Sequence, residues 1–425
     1  MAQLNYELPL KSWWKIVSLR FYTSGESHGK GLLAFLEGIP AGLKIDIIAI
    51  NAEMARRQGG YGRSSRQKLE TDTANVFSGI RHGITSGAPI ALFVNNKESE
   101  NCTHVMSIAE VDLEDEKVAE QINAKAITRF RPGHADLSGT IKFHQRDIRD
   151  VLERSSARET AARVAAGAVC QQLLNNCGIK ATAHVRQIGE MAIESNIENL
   201  SVDEIERKVI SADLLCIDDQ AAEKMKELIN AKWQEGDTLG GVVEVIVEGL
   251  PVGLGSYTQW DLKLDGKLAQ ALMSVQAVKA VEMGEGIHSA SQPGSLTHDA
   301  IYPDSEESAL PFKRLTNHAG GLEGGMTNGE RLVVRAYMKP IPTLRNGLDS
   351  LSFPDFKEHK AHYERSDVCA VPACAIVCKA MVNIVLASAL LDKFGGDSIV
   401  DLQAALKHYR EYCKSLGNNQ VKASK

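Results

Sequence analysis

The sequence predicts a globular protein that combines β-strands with long helices. Three segments carry this prediction: an alternating strand at 243–248, an alanine-rich helix at 148–174 and an apolar helix at 371–394. With 425 residues, the chain is long enough to bury a large core, as one large domain or as two. Its hydrophobic fraction of 44% and charged fraction of 24% are typical of an ordinary globular enzyme.

The strand prediction rests on a period of two. Val243, Val245 and Val247 alternate with other residues, so we expect a strand with one buried face. The segment VEGLPVGL at 247–254 nearly repeats LEGIPAGL at 36–43, which also follows an apolar run. Turn chemistry alone favours such a string of proline and glycine. The other interpretation is that the two halves of the chain are related.

The two helix predictions differ in character. The segment 148–174 is rich in alanine, arginine, glutamate and leucine, and it has no glycine or proline before Gly167. Its alanine face predicts close packing. The segment 371–394 is apolar on nearly every side and is followed by Gly395 and Gly396, which predicts a buried helix with a glycine cap.

Both ends of the chain are predicted to lie outside the main domain, 20–397. Residues 1–19 mix charges into a short apolar stretch, which favours an N-terminal extension over a signal peptide. Residues 398–425 are expected to form a C-terminal helix and a polar tail, with the tail beginning near residue 411.

Composition excludes several classes of protein. A net charge of -6 argues against a general nucleic-acid binder, and no apolar run approaches the roughly twenty residues of a membrane span. Eight scattered cysteines indicate free thiols in a reducing compartment, which favours a cytoplasmic location. Cys374 and Cys378 share a helix face, but no second ligand pair accompanies them, so we expect no metal site.

Basic residues nevertheless cluster locally, and the first of the clusters, at 55–68, has no acidic residue in it. The clustered cations are Arg56, Arg57, Arg63, Arg66 and Lys68, followed further along by Arg129 and Arg131. Guanidinium groups pair bidentately with carboxylate and phosphate, so the clusters predict a small polyanionic ligand. A solvated basic loop is the alternative.

Two histidines lie in glycine-flanked polar segments. His28 in GESHGKG and His134 in RPGHADLSGT are candidates for acid–base chemistry, although a lone histidine is more often structural. The structural interpretation is the expectation for His82, His144 and His318.

Two further segments leave their interpretation open. Arg154 and Arg158 are expected on one helix face beside Ser155 and Ser156, where they could bind phosphate or pair with acidic neighbours. Arg365 and Asp367 would face the same side of an extended segment. They could form an ion pair, or hold an anion beside a carboxylate that handles a proton.

Several long motifs, in this order, resemble the chorismate synthase family. They are TSGESHGKGLLAFLEGIPAGL, ARRQGGYGRSSRQKLETD, GIRHGITSGAPIAL, RPGHADLSGTIKF, ERSSARETAARVAAGAV, NHAGGLEGGMTNGERLVVRAYMKPIPTL and RSDVCAVPA. The resemblance runs from about residue 20 to about 397, so it covers nearly the whole chain.

The resemblance implies an α+β fold of two internally similar halves, a β-α-β sandwich with helices held between antiparallel sheets. It also implies a carbon–oxygen lyase that converts 5-enolpyruvylshikimate 3-phosphate to chorismate and phosphate. The reaction is a 1,4-anti elimination and the last common step of the shikimate pathway. It implies reduced FMN as cofactor, NADPH as a possible reductant, a homotetramer and a possible external flavin reductase.

The resemblance also assigns residues. His28 matches the histidine proposed to protonate the departing phosphate, His134 one proposed to act at the reduced flavin, and Asp367 a carboxylate that assists loss of the C6 proton. Arg57, Arg63 and Arg66 match residues for substrate anions, and Arg57 and Arg63 also for the nicotinamide donor. The implied flavin contacts are Arg154, Ser155, Ser156, Gln276, Ala277, Gly324, Lys339, Pro340, Ile341, Pro342, Thr343 and Arg365.

Two other functions compete with this interpretation. An NAD(P)H-dependent flavin oxidoreductase lacks support, because no strand followed by G-x-G-x-x-G opens a helix here. A non-catalytic flavin-binding protein is disfavoured by the presence of His28, His134 and Asp367.

Overall fold

The structure is a computed structural model that describes residues 19–63, 72–195, 197–305, 308–364 and 367–416. Nearly all of the predicted N-terminal extension lies outside these residues. The strands are β1 (Arg20–Gly25), β2 (Gly31–Glu37), β3 (Ala74–Ser78), β4 (Ile80–Arg81), β5 (Ile84–Thr85), β6 (Ile90–Asn95), β7 (Lys180–Ile188), β8 (Met191–Ala192), β9 (Gly241–Glu248), β10 (Val278–Met283), β11 (Ile301–Pro303), β12 (Phe312–Arg314), β13 (Leu322–Glu323), β14 (Met326–Thr327), β15 (Leu332–Met338), β16 (Asp349–Leu351) and β17 (Glu358–Lys360). The helices are α1 (Ile47–Gln58), α2 (Glu116–Ala124), α3 (Asp136–Phe143), α4 (Ile148–Ser155), α5 (Thr160–Asn176), α6 (Val202–Val209), α7 (Asp219–Glu235), α8 (Leu264–Met273), α9 (Gly286–Ser289), α10 (Gly294–Thr297), α11 (Val371–Phe394) and α12 (Ile399–Ser415).

Two antiparallel sheets form the outer layers of the fold. The first has the strand order β1-β2-β6-β3, and the second has the order β10-β15-β9-β7-β8. In β2, Leu32, Ala34 and Leu36 are buried while Leu33 and Phe35 face outward, as a strand with one covered face requires. The remaining short strands pair as two-stranded hairpins.

The two central helices lie between these sheets. Helix α5 packs on β2 and β6 of the first sheet, α11 packs on β7 and β9 of the second, and the helices contact each other along their length. Both helices are buried on nearly every side, which accounts for their alanine-rich and apolar sequences. This arrangement confirms the predicted α+β sandwich.

The two halves repeat the same local structure. Thr85 donates its hydroxyl to the carbonyl of Pro40 at 2.6 Å and accepts from the N–H of Leu43 at 2.9 Å. In the second half, Thr327 makes the same two contacts with Pro251 and Leu254, at 2.6 and 2.8 Å. The near-repeat in the sequence therefore marks two related halves, and the interpretation as turn chemistry alone is insufficient.

The predicted helix 148–174 is two helices. Helix α4 ends at Ser155, a short 3-10 turn covers Ala157–Glu159, and α5 begins at Thr160. Ser156 leaves the helical conformation, and its hydroxyl accepts a hydrogen bond from the N–H of Arg158. Such side-chain caps compete with the helix, so the chain turns here. Arg154 and Arg158 therefore do not share one helix face.

Strand β9 is buried on both faces, contrary to the expectation of one buried face. Glu244 is buried because it accepts from His184 and from Arg335, at 2.9 and 2.5 Å. A buried carboxylate is tolerated where charged partners satisfy it.

Helix α11 is long and apolar enough to cross a membrane, contrary to the expectation that no apolar run approaches that length. Within the fold, 89% of its most apolar window is buried. The helix therefore serves as the central core element. The predicted polar tail also begins later than residue 411, because α12 continues to Ser415 and buries Cys413.

Candidate functional site

One cavity of about 610 Å³ gathers most of the predicted site residues. It lies where the N-terminal ends of α5 and α11 meet the loop after β1 and the loop before α3. The predicted residues that line it are His28, Arg57, Arg63, His134, Ser155, Ser156, Gln276, Ala277, Lys339, Ile341, Pro342, Thr343 and Asp367. A larger groove, about 860 Å³, lies beside α12 and contains none of the predicted site residues.

His28 is held in place by Glu153 of α4. Its ring Nδ1 lies 2.9 Å from Oε1 of Glu153, and its backbone N–H donates to Oε2 of the same residue at 2.7 Å. Ser27, the preceding residue, lies with its hydroxyl 3.2 Å from that of Ser156. The glycine-flanked loop is therefore docked on the α4–α5 junction.

His134 is held in a similar way at the start of α3. Its Nδ1 lies 2.5 Å from Oδ1 of Asp136, a fully buried carboxylate. Arg131 donates to both oxygens of Asp136, at 2.8 and 2.9 Å. Burial works to raise the pKa of Asp136, but hydrogen bonds from His134 and Arg131 hold it far below its ordinary value. The carboxylate is thus ionised, and His134 presents the rest of its ring to the cavity.

A buried carboxylate also organises the cavity's arginines. Asp72 accepts from Arg57 at 3.0 Å and from Arg158 at 2.6 and 2.7 Å. Burial lowers the pKa of Arg57 to about 10. The neighbouring charges of Arg63 and Arg158 lower this pKa further, whereas Asp72 raises it. Arg57 remains a cation at neutral pH, so this end of the cavity is suited to anions.

Asp367 has a basic partner from the first half of the chain. It forms an ion pair with Arg63, N to O 2.8 Å, and both side chains are mostly buried. The ion pair joins Arg63 in the first half of the chain to the segment that leads into α11. Cation and carboxylate therefore face the cavity together.

The opposite wall carries backbone strain and apolar surface. Ala277 has φ 68°, a left-handed conformation that is uncommon for a residue with a side chain. Its carbonyl accepts the N–H of Lys339 at 2.9 Å. Apolar side chains complete this part of the lining, namely Val275, Met338, Ile341, Pro342, Ala373 and Val377. A flat aromatic ring system would find apolar contact here.

The structure does not bring all the predicted residues into the cavity. Arg154 turns away and donates to the carbonyls of Thr23 and Gly25 at the end of β1, at 3.0 and 3.2 Å. Gly324 lies at the turn of the β13–β14 hairpin, outside the cavity lining. Pro340 stands between two lining residues without lining the cavity itself. Arg66 and Arg365 lie outside the described residues.

Sequence reasoning missed the buried acids that support the site. Asp72, Asp136 and Glu153 hold the arginines and histidines described above. Only Asp136 gave a local signal, because it lies two residues after His134 in RPGHADLSGT. Arg158 was noted only as a helix neighbour of Arg154, and its place in the cavity follows from the turn at Ser156.

Three buried polar atoms of the cavity lining have no hydrogen-bond partner within the described part of the chain. They are Nε of Arg57, Nε of Arg63 and Oε1 of Gln276. Buried polar atoms are normally satisfied, so atoms of this kind at a cavity wall indicate polar ligand groups. The cavity therefore fits a ligand with both anionic groups and a hydrogen-bond donor near Oε1 of Gln276.

Comparison with known proteins identifies the family. The family model described as chorismate synthase matches residues 19–391. A chorismate synthase of Endomicrobium trichonymphae is 49% identical over 398 residues, covering 94% of this chain and 100% of the relative. One of Geobacter sulfurreducens is 47% identical over 401 residues, covering 93% and 100%. A crystal structure of chorismate synthase matches with a TM-score of 0.74 at 40% identity, covering 93% of this chain and 98% of the other.

The matches span the fold and the cavity alike, and relatives of this identity and coverage carry the name of a single enzyme. They favour the lyase over the flavin oxidoreductase and over the non-catalytic binding protein. The chain belongs to the chorismate synthase family.

Proposed function

We propose that the cavity binds 5-enolpyruvylshikimate 3-phosphate beside reduced FMN and that His28 protonates the departing phosphate. As a member of its family, the chain is the lyase of the shikimate pathway that forms chorismate and phosphate. The observation that carries the proposal is the convergence of two carboxylate-held histidines and four arginines on one cavity. The substrate has one phosphate and two carboxylates, which guanidinium groups bind well.

The roles of the site residues follow from charge and position. Arg57 and Arg63 bind substrate anions, and we add Arg158, which shares Asp72 with Arg57. In the elimination, the C–O bond to phosphate breaks and a proton leaves C6. His28 supplies a proton to the phosphate oxygen, and Asp367, held by Arg63, assists loss of the C6 proton.

The cofactor proposal rests on the opposite wall. Lys339, Gln276 and the apolar residues near Ala277 would hold the FMN, with Ser155, Ser156 and Thr343 beside them. The unpartnered Oε1 of Gln276 fits an N–H donor of a flavin ring, and the apolar lining fits the ring's faces. When bound, reduced FMN supplies the electron-rich ring system for an elimination without net redox change. His134 faces the same space and is assigned to proton handling near that ring.

The reductant and the remaining contacts are also proposals. NADPH could bind at Arg57 and Arg63, and an external flavin reductase is the alternative source of reduced FMN. Arg66, Arg154, Gly324, Pro340 and Arg365 stay proposed ligand contacts on the basis of the family motifs alone. For Arg154 and Gly324, the structure gives no support, since neither lines the cavity.

We also propose a homotetramer in the cytoplasm. The outer face of the first sheet supports self-association, because Tyr22, Leu33, Phe35 and Phe77 are exposed there. Exposed apolar patches of this kind mark protein interfaces. The eight cysteines are free and buried, which suits a reducing compartment.

A substitution at His28 tests the central role. His28→Ala should lower turnover by about a hundredfold or more, the usual cost of losing a general acid, while flavin binding is kept. His408→Ala, at an exposed position on α12, is the control and should keep full turnover. Full activity of His28→Ala, measured as phosphate release, would remove His28 from the mechanism.

A further inference from the structure

Glu153 contacts the His28 segment at three points. Its Oε2 accepts the backbone N–H of His28 at 2.7 Å, and its Oε1 lies 2.9 Å from the ring Nδ1. Its backbone carbonyl accepts the N–H of Ser27 at 3.1 Å. A single residue of α4 therefore fixes both the loop and the imidazole ring.

In the contact between Glu153 and the His28 ring, the donor and the acceptor can be assigned. The Glu153 side chain is 2% exposed, and Arg149 donates to its Oε1 at 3.0 Å from one turn earlier on α4. Burial works to raise the pKa of Glu153, but hydrogen bonds from His28 and Arg149 outweigh it and keep the pKa below its ordinary value. An ionised carboxylate only accepts hydrogen bonds, so Nδ1 of His28 must be the donor.

We infer that Glu153 is the positioning residue for His28: by accepting from Nδ1 and from the backbone N–H, it directs Nε2 toward the phosphate of the substrate. This inference rests on the proposed role of His28 as the acid. It adds a residue that does not line the cavity and that acts on the reaction through His28. A histidine's reactive nitrogen is commonly selected by the hydrogen bond that the other ring nitrogen makes.

A second buried histidine–glutamate–arginine group lies elsewhere in the chain. His184, Glu244 and Arg335 form a histidine–glutamate–arginine group on β7, β9 and β15. None of these three residues lines the cavity. That group is structural, so the contacts of Glu153 alone do not separate positioning from stability. The distinguishing feature of the Glu153 group is that its histidine faces the cavity.

The test is a double-mutant cycle with Glu153→Gln and His28→Ala. Glutamine keeps the shape of the side chain, but it has one acceptor oxygen where the carboxylate has two, and its NH₂ group faces donors. We expect the kcat of Glu153→Gln to fall by at least about tenfold, and at most by the roughly 10²- to 10⁴-fold that loss of a general acid costs. The KM should change by less than about twofold. In the His28→Ala background the same substitution should cost less than about twofold further, because residues that act as a unit are not additive.

Glu244→Gln is the matched control, since it disrupts the equivalent group outside the cavity. Glu244→Gln should lower the free energy of unfolding and keep the kcat per folded molecule. Its effect on kcat in the His28→Ala background should be the same as in the wild type. If Glu153→Gln fails to fold, Glu153→Asp replaces it in the cycle; the shorter carboxylate cannot reach both donors of His28, and an intermediate loss of kcat is expected.

Two results would overturn the inference: an unchanged kcat in Glu153→Gln, or losses that multiply in the double variant. Failure of the proposed acid role is seen separately, because His28→Ala alone would then be fully active. A strong loss in His28→Ala with multiplying losses in the double variant leaves the acid role intact and rejects only Glu153.

Discussion

Buried carboxylates hold the functional cations of this chain in place. Asp72 joins Arg57 to Arg158, Asp136 joins Arg131 to His134, and Glu153 joins Arg149 to His28. Removing one partner of a buried pair leaves an uncompensated charge, which is more costly than the pair is stabilising. These groups therefore hold the arginine and histidine side chains in position, and loss of one member of a group is expected to destabilise the fold.

The carboxylate pKa values give a pH dependence with a definite sign. Burial works to raise the pKa of Glu244, but His184 and Arg335 lower it from 4.5 to about 2. A lowered folded pKa adds stability that is present above the unfolded value and is lost as the pH falls through the folded value. We expect the free energy of unfolding to decrease more steeply between pH 4.5 and 2 in the wild type than in Glu244→Gln. Urea titrations at several pH values measure both slopes, and equal slopes would contradict the pairing.

The sequence predicted more of the cavity lining than of the buried acids that support it. His28, His134 and Asp367 stand in local motifs with unusual glycine or charge content. Glu153 and Asp72 could not be predicted, because their partners are far away in the sequence and only the fold brings them together. Arg154 lies outside the cavity lining for the same reason: its position beside two serines favoured a ligand contact, but in the fold β1 carbonyls receive its hydrogen bonds.

At the scale of elements, the central helices were predictable and their junction was not. The apolar run predicted α11 from residue 371 to 394, and the structure has the same bounds. The break between α4 and α5 depends on one serine cap, which competes with a sequence otherwise favourable to helix. The break turns Ser156 and Arg158 toward the cavity, so the element boundary is part of the site.

The close packing of α5 on α11 at Gly167 predicts the effect of a substitution there, and Gly266 in α8 offers a control. A Cβ at Gly167 would lie 2.4 to 2.7 Å from Ala380, including its backbone, whereas a Cβ at Gly266 in α8 meets nothing within 4 Å. Gly167→Ala should lower the free energy of unfolding by about 1–3 kcal/mol despite the better helix propensity of alanine. Gly266→Ala should raise it by about 0.5–1 kcal/mol. Denaturant unfolding compares the two, and stabilisation by Gly167→Ala would contradict the packing.

At the scale of the whole molecule, the cavity lies between the two related halves. Glu153, Arg154 and Ser155 precede α5 at the same sequence distance at which Glu364, Arg365 and Ser366 precede α11. Ser156 and Asp367 thus occupy equivalent positions, and both line the cavity. One half supplies a hydroxyl there and the other a carboxylate, so duplication with divergence produced a site with two chemically different sides.

The exposed face of the first sheet predicts how copies of the chain associate. Leu33 is 43% exposed in the middle of that face, next to Tyr22 and Phe35. Leu33→Lys should dissociate the proposed tetramer, because a charge at the centre of an apolar interface remains unpaired. Ile108→Lys is the control, since Ile108 is 90% exposed in a loop away from the sheet. Light scattering gives the mass of each variant; a Leu33→Lys tetramer would place the interface elsewhere.

An anaerobic assay with 5-enolpyruvylshikimate 3-phosphate and photoreduced FMN tests the central claim most directly. Chorismate absorbance and phosphate release are followed together, with oxidised FMN and with FMN plus NADPH in parallel reactions. The account predicts equal amounts of both products, dependent on reduced flavin, and activity with NADPH would show that the enzyme reduces its own flavin. Folded, flavin-binding protein that releases neither product would contradict it.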